Sequence, residues 1–438
     1  MEKIQRDEII ALIKREVVPA IGCTEPMAVA LCTAKATERL AEKIGRDKVM
    51  AAIADGTLHI EAKLSANILK NAMGVGIPGT GMVGLPIAIA LGAIVGKSEY
   101  GLEVLKDNNA EMLTLGKRYL EHNNINISLK EGIQEKLYIE VKTCTSPSGR
   151  IGGVSDGVAI IAHSHTNFVD ESWTDSGADA ETIDENHLTL KTVYEFATTA
   201  PLDEIEFINE ARLLNENAAN EALKGNYGHC LGKTLSRPLG KGIMGESIFS
   251  HILSATSAAC DARMAGAVIP VMSNSGSGNQ CKAATMPVVV FARENHNTAE
   301  ELTRALVLSH LTAIYVKQSL GRLSALCGCV VASTGSSCGI TYLMGGTYEQ
   351  VSYSVKNMIA NLAGMVCDGA KPSCALKVSS GVSTAVLSAM LAVQNRYVTS
   401  VEGLIDDDVD KSIHNLTRIG HDGMNETDRM VLDIMTGK

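Results

Sequence analysis

Aromatic side chains are scarce in this 438-residue chain, at 4% of the sequence with Trp173 the single tryptophan. A core built on stacked rings, as in an aromatic-rich β-sandwich, is therefore excluded. Packing falls to small residues, including 40 glycines, which suits helices that approach closely. Positive charge is also in deficit: the formal net charge is −10, and no basic stripe is present to neutralise phosphates, which argues against a nucleic-acid partner. No GxGxxG follows a strand, no GK[ST] is present, and no nucleophile elbow of the hydrolase type is placed, so the usual nucleotide-binding and serine-hydrolase signatures are missing. The first twenty residues read as an amphipathic helix rather than a signal peptide. The 11 cysteines follow no disulfide-framework spacing, so a reducing compartment, the cytoplasm, is expected.

The uncharged run 71–96 is long enough to span a bilayer. It contains glycines and two prolines and lacks flanking Lys/Arg and Trp/Tyr anchors, so it reads as a buried, broken helix–loop–helix. No membrane is expected as a partner. Its GIPGTG turn frees backbone N–H groups that suit an anion.

Residues 1–70 read as helices, with apolar Ile9, Ile10, Leu12, Ile13 and Val17 on one face and a second helix opened by Glu25-Pro26. Residues 97–200 change texture. INISLKEG, KLYIEVKTCT, GVAIIAHSHTNFVDES and HLTLKTVYEFA alternate like strands, with one helix around 101–122. The acidic stretch 167–187 reads as an exposed connection. From Pro201 onward helical patterns return. The expected architecture is α+β: a mainly helical domain formed by both ends of the chain, 1–96 and 201–438, interrupted by a smaller α+β domain over 97–200.

Chemistry-bearing residues concentrate in glycine-rich turns. Cys327 lies in LCGC, and Cys367 and Cys374 bracket the turn CDGAKPSC. Thiolates held this way suit a soft metal or an iron–sulfur cluster. The alternative is that they are small buried hydrophobes, the usual state of a free cysteine. The spacing is not CxxC, which excludes the common structural zinc site. Three protein ligands on a four-iron cluster leave one iron open as a Lewis acid. Cys338 reads as a core residue.

Cys23 in PAIGCTEP precedes a helix start, where the dipole is expected to lower its pKa; it is either a general base or a packing residue. SNSGSGNQC, residues 273–281, offers N–H, hydroxyl and amide groups for a carboxylate and an ammonium, with Cys281 a fourth cluster candidate. Arg150, in a second small-residue loop, is a candidate carboxylate clamp. His163 and His165 are expected on one face of a strand.

Together PAIGCTEP, NSGSGNQC, LCGC and CDGAKPSC resemble the L-cysteine desulfidase family, related to the alpha domain of iron–sulfur L-serine dehydratases. The resemblance runs over nearly the whole chain; the gap between the last two cysteines is shorter than in the dehydratase relative. It implies an oxygen-sensitive [4Fe–4S] cluster on Cys327 (or Cys329), Cys367 and Cys374. It also implies Cys23 as base and a non-redox conversion of L-cysteine to pyruvate, ammonia and sulfide. Ser275, Ser277 and Asn279 are the expected substrate donors. No PLP is implied. The alternatives are an L-serine dehydratase with hydroxyl as leaving group, or a non-catalytic iron–sulfur sensor protein. A small-molecule amino acid is the expected partner, and the apolar fraction is compatible with a homodimer.

Overall fold

The computed structural model describes residues 1–133, 135–145, 156–171, 188–321 and 324–437. It is mainly helical, with two small sheets, as expected for an α+β chain. Among the described residues there are seven strands: β1 (Val17–Ile21), β2 (Leu58–Leu64), β3 (Ile125–Leu129), β4 (Tyr138–Thr145), β5 (Asp156–Ala162), β6 (Phe168–Val169) and β7 (Pro270–Asn274). β1 and β7 form an antiparallel ribbon, Val17 opposite Asn274 and Ile21 opposite Pro270. The other five are ordered β3-β2-β4-β5-β6, with β2 and β3 parallel and the remaining pairs antiparallel.

Several sequence expectations are corrected. Residues 1–70 are not all helical, because β1 and β2 interrupt them. β2 buries every second residue, Leu58, Ile60, Ala62 and Leu64, the period of a half-buried strand, and this alternation is legible in LHIEAKL. HLTLKTVYEFA is not a strand: the segment Leu190–Thr199 is a helix. The Thr189 hydroxyl accepts the Thr192 N–H as its cap, and Leu190, Val193, Phe196 and Ala197 fall on one helical face. The helix expected near 101–122 is confined to Ala110–Leu120.

Packing does not divide at residue 97. β2 sits inside the five-stranded sheet, and the helices Thr24–Ile44 and Leu85–Val95 share one apolar core with Ile139, Val141, Ala159 and Ile161. The second core joins Ile9, Leu12, Ile13 and Cys23 to residues from Leu188 onward. An interior strand contributed by residues 58–64 ties the segment after Cys23 to the sheet, while the residues up to Cys23 pack with the later helices.

The 71–96 run is broken, as its glycines imply. The Ala66–Ala72 helix ends, a turn carries Gly79, Gly81 and Gly84 at positive φ, and Leu85–Val95 follows as a short buried helix. Close approach is what the small residues allow: a Cβ on Gly92 would lie 2.5 Å from the carbonyl oxygen of Ala30. Among the described residues one helix, Cys374–Val393, is long and apolar enough to cross a bilayer. It packs against Ile248–Met264, Gly328–Leu343 and Tyr348–Leu362, with 50% of that stretch buried.

Candidate active site

Four helices begin at one cleft. Cys23 is the N-cap of Thr24–Ile44, Ser277 of Gly278–Glu294 and Cys327 of Gly328–Leu343, while Cys374 is the first residue of Cys374–Val393. All four line a cavity of about 110 Å³, together with Glu25, Asn71, Arg263, Gln280 and Cys367. Helix N-termini present unpaired N–H groups and a positive dipole end, so this cleft favours anions and thiolates.

The late cysteines meet through a short backbone pairing. Leu326 and Val366 form an antiparallel bridge, with the Cys327 N–H donating to Met365 O at 2.9 Å and the Cys367 N–H to Ala325 O at 2.6 Å. The Cys327 and Cys367 thiols are thereby neighbours and titrate as a pair. The neighbouring Cys327 thiol holds Cys367 well below the usual thiol range, helped by Lys70, the Gly369 N–H and Lys377; the Cys367 neighbour and burial raise Cys327. In the turn that follows, Asp368 pairs with Lys371 at 2.6 Å and also with Lys377. Gly369 has φ +88°, and a Cβ there would lie 2.3 Å from Lys70 O, so the turn needs glycine. Cys374 emerges into the same cleft.

Cys329 also borders the cleft, but its thiol donates to Lys377 O at 3.1 Å and lies 3.7 Å from the Ser333 hydroxyl. Among the described residues no three His, Cys, Asp or Glu side chains close around a single ion. A polynuclear cluster takes one thiolate per iron and does not require such convergence. Three thiols facing one cleft, one of them already biased toward thiolate, are a donor set that fits it.

Cys23 behaves otherwise than its sequence position suggests. It sits at a helix N-terminus, yet burial and the Glu25 charge raise its pKa, outweighing the opposing pull of Arg263. It is a thiol donating to Glu25 Oε2 at 3.0 Å. Thr24 Oγ1 donates to the same carboxylate oxygen at 2.9 Å and lies 2.8 Å from Gly276 O.

On the opposite wall, the turn after β7 is held by its own side chains. His310 is buried, and desolvation pushes its pKa down to about 3, so its imidazole is neutral. Thr285 donates its hydroxyl proton to Cys281 O at 2.7 Å. The proton shared with His310 Nε2, 3.0 Å away, must then come from the imidazole, which leaves Nδ1 as an acceptor. Asn274 Nδ2 donates to that Nδ1 at 3.1 Å and to His310 O at 3.3 Å. Asn274 Oδ1 in turn accepts from Ser275 Oγ at 2.9 Å and Gln280 Nε2 at 3.1 Å. Ser277 Oγ accepts the Gln280 N–H as a helix cap. Ser275 and Ser277 therefore line the cleft with hydroxyls already engaged in the turn, while Asn279 Oδ1 has no hydrogen-bond partner among the described residues.

The family model for the serine dehydratase alpha chain matches residues 99–433, which include most of the residues that build this cleft. The chain belongs to the serine dehydratase alpha-chain family. It is also 63% identical to a UPF0597 protein of Bacteroides fragilis over the full length of both chains. It is 50% identical to a UPF0597 protein of Porphyromonas gingivalis, again across all of both, and 42% identical to one of Photobacterium profundum over 98% of each. The family match takes in the late thiols, the turn after β7 and Arg263, but not Cys23, Glu25 or Asn71. Within this serine dehydratase alpha-chain member, the wall carrying Cys23 comes from outside the matched residues.

Cys23, Ser275, Ser277, Asn279, Cys327, Cys367 and Cys374 thus share one cleft. Cys281, the fourth cluster candidate, points away and is bonded by Asn215 and Thr285. Cys338 is buried inside Gly328–Leu343, consistent with a core role. Arg150 lies outside the described residues, as do most of 167–187. His163 and His165 are not on a strand: they follow β5 in a turn, where His163 has φ +68° and sits 3.5 Å from Glu135, and only His165 reaches the cleft.

Sequence reasoning misses Arg263 and His310, does not single out Asn274 or Gln280 within SNSGSGNQC, and reads Glu25 only as part of a helix start. A signal existed for Arg263, since Asp261 and Arg263 are the only formal charges in an Ala-rich helix, Ile248–Met264.

Proposed function

We propose that this protein is an iron–sulfur-dependent β-eliminating lyase that converts L-cysteine to pyruvate, ammonia and hydrogen sulfide. The observation that carries the reading is the meeting of Cys327, Cys367 and Cys374 with the Cys23–Glu25 pair in one cleft. Cys327, Cys367 and Cys374 would hold a [4Fe–4S] cluster, with Cys329 turned toward Lys377 O and left out. When bound, the cluster supplies a Lewis-acidic iron for the departing group.

The chain's own residues do the rest. Glu25 accepts the proton that the Cys23 thiol holds toward it, and the resulting thiolate removes the Cα proton. A buried thiol with a high resting pKa is a stronger base once ionised, and the adjacent carboxylate gives its proton a place to go. The Cα–H electron pair forms the Cα–Cβ double bond as the Cβ–S bond breaks, and the sulfur departs with that bond's electron pair as hydrosulfide, which takes the proton held by Glu25 to leave as hydrogen sulfide. Aminoacrylate leaves, tautomerises and hydrolyses to pyruvate and ammonium without redox change. Asn279 and the turn around it orient the amino acid, and the buried walls exclude water.

A second reading is supported by the family match: L-serine in place of L-cysteine, with hydroxide as the leaving group. Anaerobic turnover of the two substrates separates them. Sulfide and pyruvate released from L-cysteine at a kcat/KM well above that for L-serine supports the desulfidase reading. Faster pyruvate release from serine overturns it in favour of the dehydratase.

A further inference from the structure

Three buried polar atoms in the cleft have no hydrogen-bond partner among the described residues: Arg263 Nη2, Gln280 Oε1 and Asn279 Oδ1. One is a cationic donor and two are neutral acceptors. Buried polar atoms without partners are costly and rare, so a cluster of them asks for an explanation. From this arrangement we infer that Arg263 receives the substrate's α-carboxylate, while Gln280 with Asn279 receives its α-ammonium. The inference rests on the amino-acid reading of the site and names the groups that recognise the amino acid.

Arg263 is 3% exposed and stands in the last turn of Ile248–Met264. Its Nε donates to Gly22 O at 3.1 Å, which aims the guanidinium along the cleft beside Cys23. It also lies against the start of Gly278–Glu294: a Cβ on Gly278 would come within 2.3 Å of Nε. A guanidinium beside the positive end of a helix and close to Lys282, with Nη2 lacking a hydrogen-bond partner among the described residues, favours an anion. The planar guanidinium fork suits a carboxylate. Lys377, a cation at the thiol wall, is already paired with Asp368.

Gln280 is 1% exposed, and its orientation is not free. His310 fixes Asn274, Asn274 Oδ1 takes the Gln280 Nε2 protons, and Oε1 is left facing the cleft as an acceptor. Oε1 lies 3.0 Å from where a Cβ on Gly328 would stand, beside Cys327. The carboxylate end of the receptor is therefore next to Cys23 and the ammonium end next to the thiol wall. A Cα held between them lies within reach of the proton acceptor. His310 and Asn274 are positioning residues in this scheme, acting through Gln280.

The test uses equilibrium binding to the anaerobically cluster-loaded protein, read by calorimetry with three probes. L-Alanine carries both charged groups and no leaving group, propionate carries the carboxylate alone, and ethylamine the ammonium alone. Arg263→Gln is expected to weaken L-alanine and propionate by about ten- to hundredfold and leave ethylamine unchanged, since a charged hydrogen bond carries that order of affinity. Gln280→Met is expected to weaken L-alanine and ethylamine but not propionate. Arg263→Lys should recover part of the propionate affinity. Should Arg263→Gln fail to fold, the Lys variant and Gln280→Met carry the same discrimination. Unchanged L-alanine affinity in both variants, or equal weakening of all three probes, overturns the receptor. If wild-type protein shows the probe pattern but turns over neither L-cysteine nor L-serine, the receptor stands and the lyase reading falls. If it turns over substrate with KM unchanged by Arg263→Gln, the lyase reading stands and the receptor falls.

Discussion

Lys282 offers a quantitative check on the electrostatics behind the active site. It is fully buried on Gly278–Glu294, and its Nζ donates to Gly278 O at 3.4 Å, a long and weak hydrogen bond. Burial, and then the neighbouring Arg263 charge, lower its pKa from 10.5 to about 7. The unfolded chain therefore binds more protons than the folded one between about 7 and 10.5, so stability should rise with pH through that window. The penalty is greatest below the folded value and is gone above the unfolded one. At pH 7 it amounts to about 4 kcal/mol, taking about 1.4 kcal/mol per pKa unit. Lys282→Met keeps the length of the side chain and removes the titration. Urea unfolding of both proteins at pH 7, 8, 9 and 10 reads the effect. Taking the difference cancels the cysteine titrations common to both. The variant should be more stable by about 2–4 kcal/mol at pH 7, allowing for removal of the weak bond to Gly278 O, with the advantage shrinking steadily toward pH 10. A difference flat in pH, or a variant less stable at pH 7, would refute this account of a desolvated amine.

Cys327→Ser, Cys367→Ser and Cys374→Ser should each abolish the visible absorption of anaerobically reconstituted protein, while Cys329→Ser retains it; a spectrum that disappears only with Cys329→Ser reverses the ligand assignment. Cys23→Ser and Glu25→Gln should leave that spectrum intact and lower kcat by about a hundredfold or more, as for loss of a general base; turnover equal to wild type removes the pair from the chemistry. Gly157→Ala places a Cβ 1.9 Å from Ala36 O, between the Thr24–Ile44 helix and the sheet, and is expected to destabilise by about 2 kcal/mol or more in thermal melting. An unshifted melting temperature would mean that the helix and sheet pack less tightly than described.

Much of the site is visible in the one-dimensional pattern. Residue types that accept metals, cap helices or turn chains cluster in PAIGCTEP, SNSGSGNQC, LCGC and CDGAKPSC, and each of these motifs proves to be the start of a helix at the same cleft. Local chemistry of this kind is readable because a turn or a cap depends on only a few consecutive residues. The helix over Leu190–Thr199 reads wrongly as a strand because β-branched and aromatic residues carry a strand preference that the Thr189 cap and one-sided burial override. β2 escapes notice although its alternation is present, since a short run inside a helical stretch is ambiguous by period alone.

What the linear sequence determined is therefore the inventory: late thiols, a polar turn, small-residue helices and a chain without basic or aromatic surplus. Tertiary structure decided which members of that inventory act together. The Leu326–Val366 bridge sets Cys327 against Cys367, and Arg263 reaches Gly22 across 241 positions of chain. The protonation of Cys23 also belongs to this level, because burial and a carboxylate at 3.0 Å outweigh the helix dipole that its position alone suggests. Desolvation, charge proximity and the direction of a hydrogen bond are properties of spatial neighbours, and those neighbours exist only once the chain has folded.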